Sequence, residues 1–445
     1  MNAPEFLESL SNLPHADYML SLRSRNPAYF LARARWLLKQ IPPLAIFLSK
    51  TKIIHITGTS GKGTVGAILQ SILAESGHTV GFYNSPHVET VYERVRISRT
   101  NRQNTVTTFS IPDDEFESIV SKLKPVLEKA VIKSPFGLPS YFDILFVIGL
   151  CYFNKINCDW IIIEVGCGGR YDSTNIIPDS VLSIITSIGY DHTQLIGPRL
   201  SQIAYEKSGI IKPRGRVVAG ASIKGKILSI IRREAAKNRA TFHLSLPAKN
   251  IKDDNAGTAK TAAKLLGIKD DAINRGIKRY VPLPGRFEII SEHPAVILDG
   301  AHNSDKIKYL ARALNDSPIW IKSRRKFLIF AATGAKDWRA MLRVLVPYFD
   351  KIYLTRHTVR ERKVADMKAM YRYAEKCNGH SPSLYLDPDD ALKDALRNAS
   401  PSDIIVATGS LYLLGSLKYS FQNLSKGFRR HRARLSGGGE EKKTF

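Results

Sequence analysis

The chain has 445 residues, 44% of them hydrophobic and 24% charged, a balance that excludes a disordered or fibrous protein. That length exceeds one ordinary core and predicts two or three domains. The formal net charge of +26 favours anionic partners: nucleotides, acidic metabolites, nucleic acid or a membrane surface.

In chain order, the opening "MNAPEFLESLSNLPHADYML" lacks a basic start followed by an apolar stretch, so no secretory signal is expected. The longest apolar run, "ILFVIGLCYF" from Ile144, has 10 residues and is too short to span a bilayer. Continuous apolar runs then recur: "KIIHIT", "TVGFYN", "DWIIIEV", "VLSIITSI" and "RVVAGA", and after Pro284 "AVILDG", "KFLIFAA", "KIYLTR" and "DIIVATG". Such runs suit parallel strands covered on both faces, and helical patterns between them predict a doubly wound α/β fold. Prolines and a glycine in "YVPLPGRFEIISEHPAVIL" mark a hinge. The expected division is 1–282, a linker at 283–294, a second domain at 295–430 and a flexible basic tail at 431–445. Cys151, Cys158, Cys167 and Cys377 form no CxxC pair and are expected to be buried, reduced thiols of a cytoplasmic protein.

Polar residues gather where the apolar runs end. In "HITGTSGKGT", loop amides of Gly58, Thr59, Ser60, Gly61 and Gly63 and a helix start near Lys62 suit phosphate oxygens. Lys62 would reach the β/γ-phosphates and the Thr64 hydroxyl could ligate Mg²⁺; a Gly-rich turn without ligand is the alternative. In "NSPHVETVYERVRIS", Ser85 and His87 follow a strand, which is weak by itself. In "DWIIIEVGCGGRYDSTN", Glu164 sits at a strand end, where Mg²⁺ ligands of nucleotide enzymes lie and where an acid also caps helices; Arg170 and Asp172 face the same space. His192 follows "ITSIGYD", and Glu206 and Lys207 lie on the next helix; alone, His192 fits a structural histidine and Lys207 a solvent-facing one. Beyond the hinge, "LDGAHNS" places Asp299, His302 and Asn303 after a strand, and Thr408, Gly409 and Ser410 stand at another junction; helix capping explains either.

Together these stretches, with "SYFDILF", "IAYEKSGIIKP", "PGRFEII" and "TGSLYLLG", resemble the folylpolyglutamate synthase/dihydrofolate synthase family of the wider Mur ligase group, over most of Thr51 to Gly415. The resemblance implies a large N-terminal P-loop-type ATPase domain with a mainly parallel sheet, and a smaller C-terminal Rossmann-like glutamate-ligase domain. It implies an ATP-dependent amide ligase. ATP phosphorylates a carboxylate of dihydropteroate or a reduced folate, and the amino group of L-glutamate attacks the acyl phosphate, giving ADP and phosphate. By the same resemblance, Lys62 and the loop amides hold ATP with Asn255, Arg286 and Asp299, and Thr64 and Glu164 hold a first Mg²⁺. Ser85, Glu164 and His192 match a second metal set. Lys207 matches a lysine carbamylated in relatives, and His302 faces the reacting phosphate. Ser85, His87, Phe142, Asp143, Arg170 and Asp172 fall at substrate positions. Gly63, between the loop Lys and the Thr, is a marker of this branch.

Departures are Ser60 for a common Asn, Ser140 and Asp143 for Thr and Glu, and Cys167 for Leu. A monomer that binds neither nucleic acid nor membrane is expected. A Mur-type ligase for another carboxylate and a basic nucleic-acid-binding NTPase are the competing readings.

Overall fold

A computed structural model describes residues 1–10, 26–103, 105–247, 251–359 and 362–436, and the side chains of these except 251, 252, 378 and 424–436. The chain divides into two compact units, Met1–Leu283 and Pro284–Phe445.

The first unit is built on an eight-stranded sheet in the order β4-β3-β2-β5-β1-β6-β7-β8. Its strands are β1 (Lys52–Thr57), β2 (Val80–Tyr83), β3 (Val95–Thr100), β4 (Val106–Ser110), β5 (Trp160–Glu164), β6 (Leu182–Ile185), β7 (Arg216–Ala219) and β8 (Thr241–Leu244). β1 lies between β5 and β6, parallel to both, with Ile56 opposite Glu164 and Thr57 opposite Ile185. β3 runs antiparallel to β2 and β4, so the sheet is mainly, not wholly, parallel. All five residues of β5 are buried, as its unbroken apolar run requires.

One face of this sheet packs on the helices Ala28–Lys39, Pro42–Lys50, Asp113–Lys133 and Tyr141–Ile156. The other packs on Lys62–Glu75, Ile251–Leu265 and Asp270–Arg279. Helix Tyr141–Ile156 carries the longest apolar run and is buried almost all round, from Asp143 to Phe153. No helix of the described residues is long and apolar enough to cross a membrane.

The second unit holds a six-stranded sheet in the order β13-β12-β11-β14-β10-β9. Its strands are β9 (Glu288–Glu292), β10 (Ala295–Leu298), β11 (Lys326–Phe330), β12 (Lys351–Leu354), β13 (Ser383–Leu384) and β14 (Ile404–Thr408). Only the edge pair β9–β10 is antiparallel among these strands. The stretch expected as a linker therefore contains β9, a strand of the second sheet. The final helix runs Leu411–Ser436, through the expected start of the tail; residues 437–445 lie outside the described residues.

One expectation needs correction. Cys158 is buried and Cys151 and Cys167 are half-buried, but Cys377 is exposed. It lies on the amphipathic helix Met367–Asn378, whose apolar face is covered by other residues. Burial pushes the Cys151 and Cys158 thiols up to about 12, so both are unreactive near neutral pH.

Candidate active site

The loop between β1 and helix Lys62–Glu75 is held from both sides. Thr59 donates its hydroxyl to the Gly189 carbonyl at 3.0 Å, and the Ser60 amide donates to Ser187 Oγ at 2.9 Å. Thr186 and Ser187 donate their hydroxyls to the Ser60 carbonyl at 2.6 and 2.9 Å. Gly61 is the helix N-cap at φ 84°, a left-handed conformation that costs glycine little. A Cβ there would stand 2.4 Å from Asn255 Oδ1, so Asn255 closes over the loop. Gly63 answers a packing need. A Cβ on it would lie 2.6 Å from Leu283 Cδ1 and 3.5 Å from Glu164 Oε2, so its absence lets the first helical turn approach β5. Thr64 follows, half-buried, in that turn.

Two lysines converge on this loop. Lys62 and Lys207 each donate to the Gly58 carbonyl at 3.0 Å. Lys207, on helix Leu200–Ser208, is only 4% exposed, which corrects the solvent-facing alternative. Lys62 also lies 3.7 Å from Glu164, which ends β5 buried. The Ser85 amide points at the same carboxylate, 3.4 Å from Oε2. The Glu164 carboxylate thus lies beside Lys62 and the Ser85 amide, which come from a helix start and a strand end of one sheet edge.

His192 stands apart in character. It is the left-handed residue at φ 50° ahead of a short helical turn, its ring is exposed, and its Nε2 lies 3.7 Å from the buried Asp191. His87 accepts a hydrogen bond at Nδ1 from Arg94 Nε at 3.0 Å. Burial, then the Arg94 charge, brings the His87 imidazole down to about 4. It is therefore neutral at pH 7, with its hydrogen on Nε2.

Two candidate substrate acids are occupied by the fold. Asp143 Oδ2 accepts from Arg33 Nε at 2.7 Å and from the Ser140 amide at 2.9 Å, and Oδ1 accepts from the Ser173 hydroxyl. Asp172 accepts from Thr174 N at 3.0 Å and Cys167 N at 2.8 Å, which pins the glycine-rich turn after β5. Phe142 packs on that turn; a Cβ on Gly166 would meet its ring at 2.7 Å. Arg170 turns to Tyr205, whose ring lies 3.9 Å from its guanidinium carbon, and pairs with Glu234 at 2.9 Å.

In the second unit, Asp299 follows β10 and accepts from the Phe287 and Ala301 amides, both at 2.9 Å. Burial holds its carboxyl above the usual range, against the pull of Arg286. Arg286 reaches over Gly300, whose Cβ would lie 3.0 Å from Nη1. His302 places Nδ1 2.8 Å from the Gly300 carbonyl and Nε2 3.1 Å from Lys306. Asn303 caps helix Ser304–Asn315 by accepting from the Lys306 amide at 2.9 Å.

Residues 285–411 match the model of the Mur ligase glutamate ligase domain. The dihydrofolate synthase/folylpolyglutamate synthase of Bacillus subtilis is 31% identical over 408 residues, 83% of this chain and 90% of the relative. The chain belongs to the folylpolyglutamate synthase/dihydrofolate synthase family. Among solved structures, Escherichia coli FolC in complex with DHPP and ADP superposes with a TM-score of 0.77 at 25% identity, covering 96% of this chain and 99% of that one. A bifunctional folylpolyglutamate synthase/dihydrofolate synthase with Mn, AMPPNP and L-glutamate bound gives 0.73 at 26%, covering 88% and 94%.

Residues of this family member that sequence patterns did not single out are Thr186, Ser187, Arg33, Arg94 and Lys306. The first two carried a signal, since they end "IITS" at a strand edge. The others did not, because their partners lie 7 to 110 positions away or across a single helical turn.

A divalent cation fits part of the expected donor set. Glu164 and the Thr64 hydroxyl are hard oxygen donors beside the loop, and Mg²⁺ needs few protein ligands when water and phosphate complete its shell. Among the described residues no three His, Cys, Asp or Glu side chains cluster as a metal cage.

Proposed function

We propose that this family member is an ATP-dependent ligase that joins L-glutamate to dihydropteroate, to reduced folates, or to both. What carries this reading is the convergence of Lys62 and Lys207 on the Gly58 carbonyl beside the buried Glu164. The loop carbonyl and the carboxylate hold the Lys62 ammonium at a helix N-terminus, which is where a polyphosphate would take it over, and Lys207 reaches the same loop from the neighbouring helix.

The reaction follows from those parts. ATP passes its γ-phosphoryl group to the pterin carboxylate, and the glutamate amine displaces phosphate from the acyl carbon. Lys62 and the amides of residues 58–64 hold the phosphates, with Asn255 over the loop, and Arg286 and Asp299 are assigned to the nucleotide by the family resemblance alone. Thr64 and Glu164 would hold Mg²⁺, which would supply neutralisation of the phosphate charge. A second ion would draw on Ser85, Glu164, His192 and a carbamylated Lys207; as an ammonium, Lys207 cannot ligate a cation. His87 offers its Nε2–H to the substrate, and Phe142 offers ring surface. Asp143, Arg170 and Asp172 shape the pocket through Arg33, Tyr205 and the Cys167 amide rather than by direct contact. We place the enzyme in the cytoplasm, as a monomer without nucleic-acid or membrane partners.

The deciding experiment is a product assay by mass. Purified protein is given ATP, Mg²⁺ and glutamate, with dihydropteroate and a tetrahydrofolate offered separately. A product heavier by one glutamate in either arm is expected. Turnover of neither, with turnover of another carboxylate, would move the chain to a different ligase substrate.

A further inference from the structure

Two contacts of the His302 ring set its tautomer. His302 Nδ1 lies 2.8 Å from the Gly300 carbonyl, which can only accept, so Nδ1 carries hydrogen. Nε2 lies 3.1 Å from the Lys306 ammonium, which can only donate, so Nε2 presents its lone pair. An imidazolium would set N–H against N–H at that distance. The geometry is anchored, because Asn303 caps the helix through the Lys306 amide and so fixes where the lysine departs. Other charged groups nearby are Asp299, whose oxygens are engaged by the Phe287 and Ala301 amides, Arg286, and Asp305, which pairs with Lys308 at 3.6 Å.

We propose that Lys306 is a positioning residue that holds His302 as the neutral Nδ1–H tautomer, so that Nε2 enters the reaction as a hydrogen-bond acceptor and not as a proton donor. The chemical use of that acceptor rests on the ligase reading: the incoming amino acid carries an ammonium group, and Lys306 keeps an equivalent donor on Nε2 until that group replaces it.

The test uses the full chain labelled with ¹⁵N-histidine. Wild type should show His302 as a single Nδ1–H tautomer. Lys306→Met should give a mixed or protonated ring at pH 6, Lys306→Arg should restore the wild-type signal, and Lys306→Gln should keep the tautomer while losing the charge. In kinetics, Lys306→Met should raise the acid limb of kcat/KM for glutamate by about one pH unit, because a neighbouring cation no longer opposes protonation. The KM for ATP should stay within twofold. An unchanged His302 signal and pH profile in Lys306→Met would overturn the proposal. If no pterin is turned over but the tautomer still responds, the ligase reading fails and the positioning role stands.

Discussion

At the scale of single residues, Lys62 and Lys207 share one carbonyl but have different expected roles. Lys62→Ala should retain the wild-type circular dichroism spectrum and lose about 10²-fold or more in ATP-dependent glutamate addition, since an electrostatic contact to the transferred group is removed. Lys207→Ala should be inactive too, yet partly rescued by a short-chain carboxylate that replaces a carbamate. Rescue of Lys62→Ala by the same carboxylate would refute the division of roles.

His87 gives a pH prediction. Its imidazole sits at about 4 in the folded protein against 6.5 for the free group. Between those values the unfolded chain binds a proton that the folded chain refuses, so stability falls as pH drops from 6.5 to 4. Burial of His55 and His357 acts in the same direction. His87→Gln should therefore flatten, not abolish, the loss of urea midpoint over that interval. A variant as steep as wild type would remove His87 from the explanation.

At the scale of elements, the helices Ala28–Lys39 and Tyr141–Ile156 and the turn at Ser173 meet on Asp143. Ser140 and Asp143, noted in the sequence only as departures from the family pattern, form a capping box at the start of the second of these helices. That Arg33 would arrive from 110 residues away was not legible, because nothing local in "AYFLARARW" distinguishes Arg33 from Arg35. Removing one member of a buried pair leaves the other charge uncompensated, so Asp143→Ala should cost roughly 3–5 kcal/mol in denaturant titration. The double variant Arg33→Met with Asp143→Leu should recover part of it. If Asp143→Ala is instead fully stable and only raises the KM for the pterin, Asp143 contacts substrate after all.

The strands split in the same way. All nine continuous apolar runs became strands. The antiparallel pair β3 and β4 and the edge strands β8, β9 and β13, of which β9 lies inside the expected linker, were not foreseen. β4, β8, β9 and β13 are short or half-exposed, while β3 is buried over Val95–Ser98 but has Arg96 and Ser98 breaking its apolar run.

At the scale of the whole molecule, the charge of +26 belongs to a chain whose two sheets each carry their own core. Both nucleotide and folate are anions, so this field should assist their capture. Raising KCl from about 0.05 to about 0.3 M should raise KM for ATP several-fold with little change in kcat, through screening alone. A salt-independent KM would make the charge irrelevant to capture.

The sequence by itself determined the α/β class, the phosphate-type loop and the family, because these depend on short contiguous patterns: apolar runs, "GTSGKGT" and "LDGAHN". Only the tertiary structure decided that Lys207 is buried against the Gly58 carbonyl, that Asp143 and Asp172 spend their oxygens on the protein, and that Lys306 faces His302. Each of those depends on which distant group arrives at a given oxygen or nitrogen. A buried polar atom takes whatever partner the packing delivers, and local sequence does not encode that partner.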